Sequence, residues 1–383
     1  MVVGLLFGGL TIRYLGTARA GYLMLLVALT GFGSLLGDFG FGTAAVQRVA
    51  ALCRQGELGT SRHIVSSVVT LSTVSAMVTA VPVVLFHARV FAWSQLPAVY
   101  RTDSFWATIF AMVTYVLTQA TGAWRSTYTS LERFDISSGL STTFGILNGT
   151  AGIIVLHICP TMAAASFVRL VTSVIRVGTD AYFAGRLLRG TPWPGLYWRE
   201  VKPLIGFGMW IYASNVGNFF LGRVNSFILT TMLGASALPF YEFPQRIYLQ
   251  VHGALNNQST FLFPMFASYG GSAAEEIEKR QDRLRWILAV ISGAAYVAIA
   301  LLGVPILRHL VNAEFAALAR WCLILACVQG FFEAQTIVPS SSSWALGAGQ
   351  PNAIIEIIRG VLVAVTAWLL IPRIGYNGAA IAQ

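Results

Sequence analysis

Residues 286–307 read WILAVISGAAYVAIALLGVPIL, a run of 22 residues without a charged side chain. As an α-helix this run is about 33 Å long, and the hydrocarbon core of a bilayer is about 30 Å thick. Eighteen or more apolar residues in a row are typical of a transmembrane helix and not of a helix in a soluble core. This stretch therefore predicts a membrane-spanning segment.

Runs of similar length and composition fill most of the chain. Full spans are predicted at 22–46, 64–86, 104–124, 138–158, 162–184, 203–232, 242–269, 286–307, 316–338 and 352–372. Two stubs, 1–12 and 375–383, are too short to cross, because 12 helical residues rise only about 18 Å. We expect the chain to begin inside its first span and to end inside its last. The predicted fold is an all-α polytopic membrane protein with about ten full transmembrane helices and two truncated end spans.

The composition agrees with this class. Of 383 residues, 56% are hydrophobic and only 10% are charged, which excludes a water-soluble domain and a disordered chain. The net charge is +10, but the basic residues stand singly between apolar runs, so no nucleic-acid partner is predicted. Loops numbered even from the first stub hold 13 basic residues and odd loops hold 6. The positive-inside rule then places the even loops, and the N-terminus of the complete chain, on the cytoplasmic side of a bacterial inner membrane.

Enzyme signatures are absent from the sequence. It has no GxSxG, HExxH, SxxK, Walker A or GxGxxG motif, and its five histidines are dispersed. We therefore expect no catalytic residues, no metal site and no cofactor, with H⁺ or Na⁺ as candidate coupling ions.

Two weak repeats suggest a duplication. Leu15-Gly16 is followed by Tyr22, and Leu233-Gly234 is followed by Tyr241 about 218 residues later. An even-numbered unit of six spans would give two parallel, pseudo-symmetric lobes. The predicted boundaries are an N-terminal lobe at 1–190, a cytoplasmic linker at 191–202 and a C-terminal lobe at 203–383.

Ionisable residues at membrane depth are the candidate functional residues. A charge at the bilayer centre costs about 2.5 kcal/mol or more, so it must face a partner or a wet cavity. Arg169, Arg176 and Asp180 share one stripe of the sixth span. Arg176 and Asp180 are spaced to pair at i, i+4, whereas Arg169 has no local partner. The stripe is either a cationic substrate site or a set of interhelical salt bridges.

The seventh and eighth spans are unusually polar. Arg223 has no acidic residue within four positions, and Arg246 is spaced to pair with Glu242. A helix with this polarity must be surrounded by protein or water. The candidate substrate-binding residues of these two spans are Asn215, Asn218, Arg223, Asn225, Arg246 and Gln250.

Three acidic residues are candidates for ion coupling. Asp38 lies in a glycine-rich run that predicts a bend, and it either takes up H⁺ or Na⁺ or pairs with an arginine. Asp180 and Glu333 are the other two. Glu356 and Arg359 are predicted to form a structural ion pair at i, i+3.

Three stretches resemble a known family. They are IRYLGTARAGYLMLLVALTGFGSLLGDFGFGTAAVQR at 12–48, FLGRVNSFILTTMLGASALPFYEFPQRIYLQV at 220–251 and ALGAGQPNAIIEIIRGVLVAVTAWLLIPRIGYNGAAIA at 345–382. Their pattern resembles the O-antigen and exopolysaccharide flippases of the multidrug/oligosaccharidyl-lipid/polysaccharide exporter superfamily.

The resemblance implies two six-helix lobes around a cationic cavity that opens alternately to each side. It implies a role in polysaccharide or lipopolysaccharide biosynthesis, a polyprenyl-diphosphate-linked oligosaccharide as substrate, membrane lipid around it, and a glycan polymerase and glycosyltransferases as partners. Arg13 and Arg19 match basic positions after the first span, which makes Arg19 a further candidate for substrate binding, and Tyr241 to Arg246 match a Tyr…Arg motif. Asn225 stands where members often carry Asp, so the resemblance does not extend to cation coupling through that residue.

Two rival functions stay open at this point. A cation-coupled multidrug exporter would have an acidic or aromatic cavity, whereas arginines dominate the predicted spans of this chain. A membrane glycan polymerase or ligase would need a large outward loop, and the longest odd loop, 87–103, has 17 residues.

Overall fold

The computed structural model describes residues 2–38, 41–202, 204–258, 274–345 and 349–383. Fourteen α-helices and no strands are found in these ranges, which confirms the all-α class. The helices are α1 (Val2–Asp38), α2 (Phe41–Arg54), α3 (Leu58–Leu85), α4 (His87–Ser94), α5 (Arg101–Ser130), α6 (Phe134–Ile158), α7 (Met162–Leu187), α8 (Trp198–Val201), α9 (Leu204–Leu233), α10 (Leu238–Gln258), α11 (Ala274–Leu310), α12 (Ala313–Ala345), α13 (Gly349–Ile374) and α14 (Tyr376–Ala382).

The predicted spans overlap helices in the described ranges. Seven helices in these ranges are long and apolar enough to cross a membrane. Predicted spans 104–124, 203–232 and 242–269 are not among these seven, although each overlaps a helix, and residues 203 and 259–269 lie outside the described ranges. Of the predicted span 22–46, residues 22–38 lie in α1 and residues 41–46 lie in α2. Residues 39 and 40, in the glycine-rich run that predicted a bend, lie outside the described residues.

Two glycines at equivalent positions of the repeat have the same backbone conformation. Gly16 breaks α1 into two segments with φ 79° and ψ 167°. Gly234, which separates α9 from the short turn before α10, has φ 78° and ψ 169°. This region of the backbone map is accessible essentially only to glycine. The shared conformation supports the duplication that the Leu-Gly repeats suggested.

We expect Gly16→Ala and Gly234→Ala each to lower the free energy of unfolding by about 1–3 kcal/mol, the usual cost of this strained backbone. Gly122→Ala is the matched control. A Cβ at Gly122 would meet no neighbour and its backbone is helical, so alanine is expected to stabilise by about 0.4–1 kcal/mol. Denaturant titration in detergent measures the free energy of unfolding of all three variants. Equal stability of Gly16→Ala and wild type would contradict the prediction.

The helices pack mainly within each half of the chain. In the first half α5 packs against α3 and α7; in the second half α9 packs against α13, and α12 packs against α11 and α10. Helix α1 lies at the seam, because it contacts α3 and α6 as well as α9 and α10. The exact lobe boundaries at 190 and 203 remain predictions.

The segment between the halves is tied to the first half. The Tyr197 backbone N–H donates to Ser67 Oγ at 2.8 Å, and the Trp124 indole donates to the Pro192 carbonyl at 3.2 Å. His63 stacks on Tyr197 with ring centroids 3.9 Å apart. The predicted linker is therefore fixed on α3 and α5.

The two halves meet closely near the junction of α9 and α10. Gly21 of α1 lies against the Ala235 backbone so tightly that a Cβ at Gly21 would be 1.8 Å from the Ala235 oxygen. Trp93 of α4 donates to Thr231 Oγ1 at 3.1 Å and stacks on Phe227 at 5.9 Å. Small residues and aromatic stacking hold the two halves together at this end.

Candidate functional site

A cavity of about 650 Å³ lies between the two halves. We call it the chamber. Helices α1 and α7 line it from the first half, and α9, α10, α12 and α13 line it from the second. The lining includes four arginines and three glutamates: Arg169, Arg223, Arg246, Arg359, Glu242, Glu333 and Glu356. Its size is typical of small-molecule sites.

Three of these arginines form what we call the arginine cluster: Arg169, Arg223 and Arg246. Arg169 and Arg246 also share a small adjoining cavity, although they come from opposite halves of the chain. Their guanidinium groups repel one another, as do those of Arg246 and Arg223. The cluster faces one nearby carboxylate, that of Glu242, so this end of the chamber carries excess positive charge.

The partners of these arginines differ. Arg223 Nη1 lies 3.7 Å from the Glu242 carboxylate, which also accepts a hydrogen bond from Ser226. Within the described ranges, neither Arg169 nor Arg246 forms an ion pair or a side-chain hydrogen bond. Arg169 lies over the ring of Phe7, with 5.5 Å between its guanidinium carbon and the ring centroid. The i, i+4 pair of Glu242 with Arg246 that their spacing allowed is not found in the described ranges, because Glu242 pairs with Arg223 of α9.

A second network, of hydrogen bonds, is centred on Glu333. Its carboxylate accepts hydrogen bonds from Arg359, Tyr248 and Gln329. The predicted ion pair of Glu356 with Arg359 is therefore wrong, since Arg359 pairs across helices with Glu333. Of the three candidate ion-coupling residues, Glu333 lines the chamber.

Arg176 and Asp180 form the predicted i, i+4 pair, with 3.4 Å between Nε and Oδ2. Asp180 is fully buried and also accepts a 2.7 Å hydrogen bond from Tyr128 of α5. Arg176 lines a cavity of about 280 Å³ that it shares with Arg169, and it lies about two helical turns along α7 from that chamber-lining residue. Asp180 of α7 therefore links this helix to α5 through its hydrogen bond with Tyr128.

Arg19 has a structural position at the break in α1. It donates to the carbonyls of Leu15 and Pro160 at 2.7 and 3.0 Å and lies over the ring of Tyr100. It lines none of the cavities described above. Arginine at this place satisfies carbonyls that the broken helix leaves free.

The predicted amides separate into different environments. Asn225 is buried and donates to the Tyr241 hydroxyl and the Ala379 carbonyl, both at 3.1 Å, so it joins α9, α10 and α14 outside the chamber lining. Asn215 and Gln250 are half-buried and are not among the residues that line the chamber. The side chains of Asn218 and Asp38 lie outside the described part of the structure.

Several residues that line the chamber were not predicted as site residues, and two of them are His252 and Glu356. His252 continues the face of α10 that carries Tyr241, Gln245 and Tyr248, and Glu356 enters from α13. The periodicity of α10 could have indicated His252. No signal in the sequence could show that Arg359 pairs with Glu333 and not with Glu356.

The arrangement suits an anion with a polar extension. Guanidinium groups bind phosphate oxygens bidentately, and those of Arg169 and Arg246 have no charged partner in the part of the chain that the structure describes. Amides, hydroxyls and carboxylates fill the rest of the lining.

Comparison with known proteins agrees with this geometry. The family model described as "Polysaccharide biosynthesis protein" matches residues 1–269. The chain belongs to this family. The resemblance read from the sequence is thereby confirmed.

Two curated relatives are similar to this family member. A Shigella flexneri protein assigned as an O-antigen transporter is 21% identical over 377 residues, covering 97% of this chain and 88% of the relative. The lipopolysaccharide biosynthesis protein WzxC of Escherichia coli (strain K12) is 27% identical over 157 residues, which cover 40% of this chain and 30% of WzxC.

Solved structures share the fold. The lipid II flippase MurJ in an inward closed conformation matches with a TM-score of 0.78 at 13% identity, covering 100% of this chain and 81% of MurJ. An inward-facing multidrug resistance MATE transporter of the MOP superfamily matches with a TM-score of 0.76 at 15% identity. The match covers 100% of this chain and 90% of that transporter. The family member therefore has the fold of these transporters, with their two pseudo-symmetric lobes.

Proposed function

We propose that the chain is a flippase that moves a polyprenyl-diphosphate-linked oligosaccharide across the bacterial inner membrane, with its N-terminus in the cytoplasm. The observation that carries the proposal is that Arg169 and Arg246, which have no ion pair or side-chain hydrogen bond among the described residues, face one chamber from opposite halves. The names of the two curated relatives support the same class of cargo.

The chemical reason lies in the headgroup. A diphosphate cannot cross hydrocarbon alone, because its charges would lose their hydration. Arg169, Arg223 and Arg246 can replace that water with charge-assisted hydrogen bonds. The anion in turn relieves the mutual repulsion of the cluster. The polyprenyl tail can stay in lipid while the headgroup occupies the chamber.

The direction of transport follows from charge and packing. An inside-negative potential favours outward movement of an anion by about 2.3 kcal/mol per charge per 100 mV. The halves are in close contact at Gly21 of α1 and Ala235 of the turn before α10, at the end of the bundle that the positive-inside rule assigns to the outer side. We infer that the chamber loads from the cytoplasm and releases when this contact opens. Glycosyltransferases would supply the substrate, and a polymerase or ligase would consume it.

Reconstitution tests the proposal. Proteoliposomes with the purified chain and a fluorescent polyprenyl-diphosphate oligosaccharide are expected to expose the glycan of the inner leaflet to an external glycosidase, whereas empty liposomes protect it. Drug extrusion from the same vesicles without glycan movement would favour the multidrug exporter, whose fold this chain shares. A glycan made longer by the purified protein would favour a polymerase.

A further inference from the structure

The chamber extends well beyond the arginine cluster. It continues along α10 from Arg246 to His252, a rise of about 9 Å for six residues. At that end α12 and α13 contribute Thr336 and Glu356. The chamber is therefore long enough to hold two chemically different parts of one ligand.

The far end presents polar atoms without protein partners. His252 Nδ1 is buried and has no hydrogen-bond partner among the described residues. The Glu356 carboxylate likewise has no ion pair or hydrogen bond within those ranges, because the nearby Arg359 is held by Glu333. Buried polar groups are nearly always satisfied in folded proteins, so unsatisfied ones in a cavity are candidates for ligand contacts.

We propose that this end of the chamber is a sugar subsite, in which His252 and Glu356 hydrogen-bond the hydroxyl groups of the first sugar next to the diphosphate. The proposal rests on the proposed function and specifies the orientation of its substrate. A carboxylate accepts hydrogen bonds from hydroxyls and repels an anion, so Glu356 selects a first sugar without a carboxylate of its own. The arginine cluster then binds the diphosphate one to two turns away.

Binding to two probes separates the subsite from the arginine cluster. The probes are farnesyl diphosphate and the same lipid with one N-acetylglucosamine on its diphosphate, measured by calorimetry on the full chain in nanodiscs. Glu356→Gln and His252→Phe are each expected to weaken binding of the sugar probe about tenfold without weakening binding of the bare diphosphate, because Glu356→Gln replaces a charge-assisted hydrogen bond to the sugar with a weaker neutral one and His252→Phe removes one. Arg246→Ala should weaken both probes by the same factor.

Glu314→Gln is the matched control, because Glu314 is exposed in the first turn of α12 and does not line the chamber. Thermal unfolding in the same nanodiscs verifies that each variant is folded. Equal affinity of wild type, Glu356→Gln and His252→Phe for the sugar probe overturns the subsite, even if the diphosphate still depends on Arg246. Failure of wild type to bind either probe overturns the proposed function and the subsite together.

Discussion

Arg246→Ala is expected to reduce export of surface polysaccharide roughly 30-fold or more, and Arg169→Ala is expected to have a similar effect. Each change removes a guanidinium that has no partner of its own in the described structure and that faces the chamber. Loss of one side of a buried charge pair costs about 2–5 kcal/mol, and each 1.4 kcal/mol is a factor of ten in affinity. The measurement is cell-surface glycan per unit of membrane-inserted protein, with chromosomal replacement in the native host.

Arg133→Ala serves as the matched control. Arg133 is an exposed arginine that pairs with Asp135 at the start of α6, away from the chamber. Its loss should leave export unchanged, since exposed ion pairs contribute little. Arg246→Lys adds a second comparison: it keeps the charge but not the bidentate geometry, so we expect an intermediate loss. Normal export by both Arg169→Ala and Arg246→Ala, at normal protein levels, would contradict the cationic site.

Gly21→Val is expected to reduce export at least tenfold for a different reason. A side chain at Gly21 would lie 1.8 Å from the Ala235 oxygen and 2.6 Å from its carbonyl carbon, and backbone atoms cannot move aside cheaply. The two halves would be forced apart where they now meet. Overpacking of this kind costs about 1–3 kcal/mol, and here it falls on the contact that closes and reopens in the proposed transport cycle.

The control for Gly21→Val is Gly178→Ala, a helical glycine of α7 where a Cβ would meet nothing within 4 Å. That variant should retain export and unfold at the same or a higher temperature. Accessibility of a single introduced cysteine at Thr30, which lines a cavity beside the chamber, reports the open state. Unchanged labelling from outside the cell, together with full export by Gly21→Val, would show that the close contact has no role in transport.

Much of the fold could be predicted from local sequence. The run 286–307 lies within α11, and the Leu-Gly pairs at 15–16 and 233–234, which suggested a duplication, carry glycines with the same backbone conformation. The ends of the helices were less well predicted. Helix α5 runs from Arg101 to Ser130, whereas the predicted span was 104–124, because hydrophobicity alone does not report where a helix begins or ends.

The candidate site was predicted only in part. Arg169 was correctly singled out as lacking a local partner, and Arg176 pairs with Asp180 as its spacing indicated. Arg19 and Asn225 were predicted to bind substrate, but the structure engages them with backbone carbonyls and neighbouring helices. Spacing along one helix reveals i, i+4 partners and nothing about the helix that packs beside it.

The sequence by itself determined that this protein is a bundle of membrane helices with arginines at membrane depth, because span length and charge are local properties of the chain. Tertiary structure alone decided which arginines are free. Glu242 pairs with Arg223 and Glu333 with Arg359, in each case between different helices and against the i, i+3 or i, i+4 alternative. These choices depend on how helices distant in sequence are packed, and they leave Arg169 and Arg246 to face the chamber.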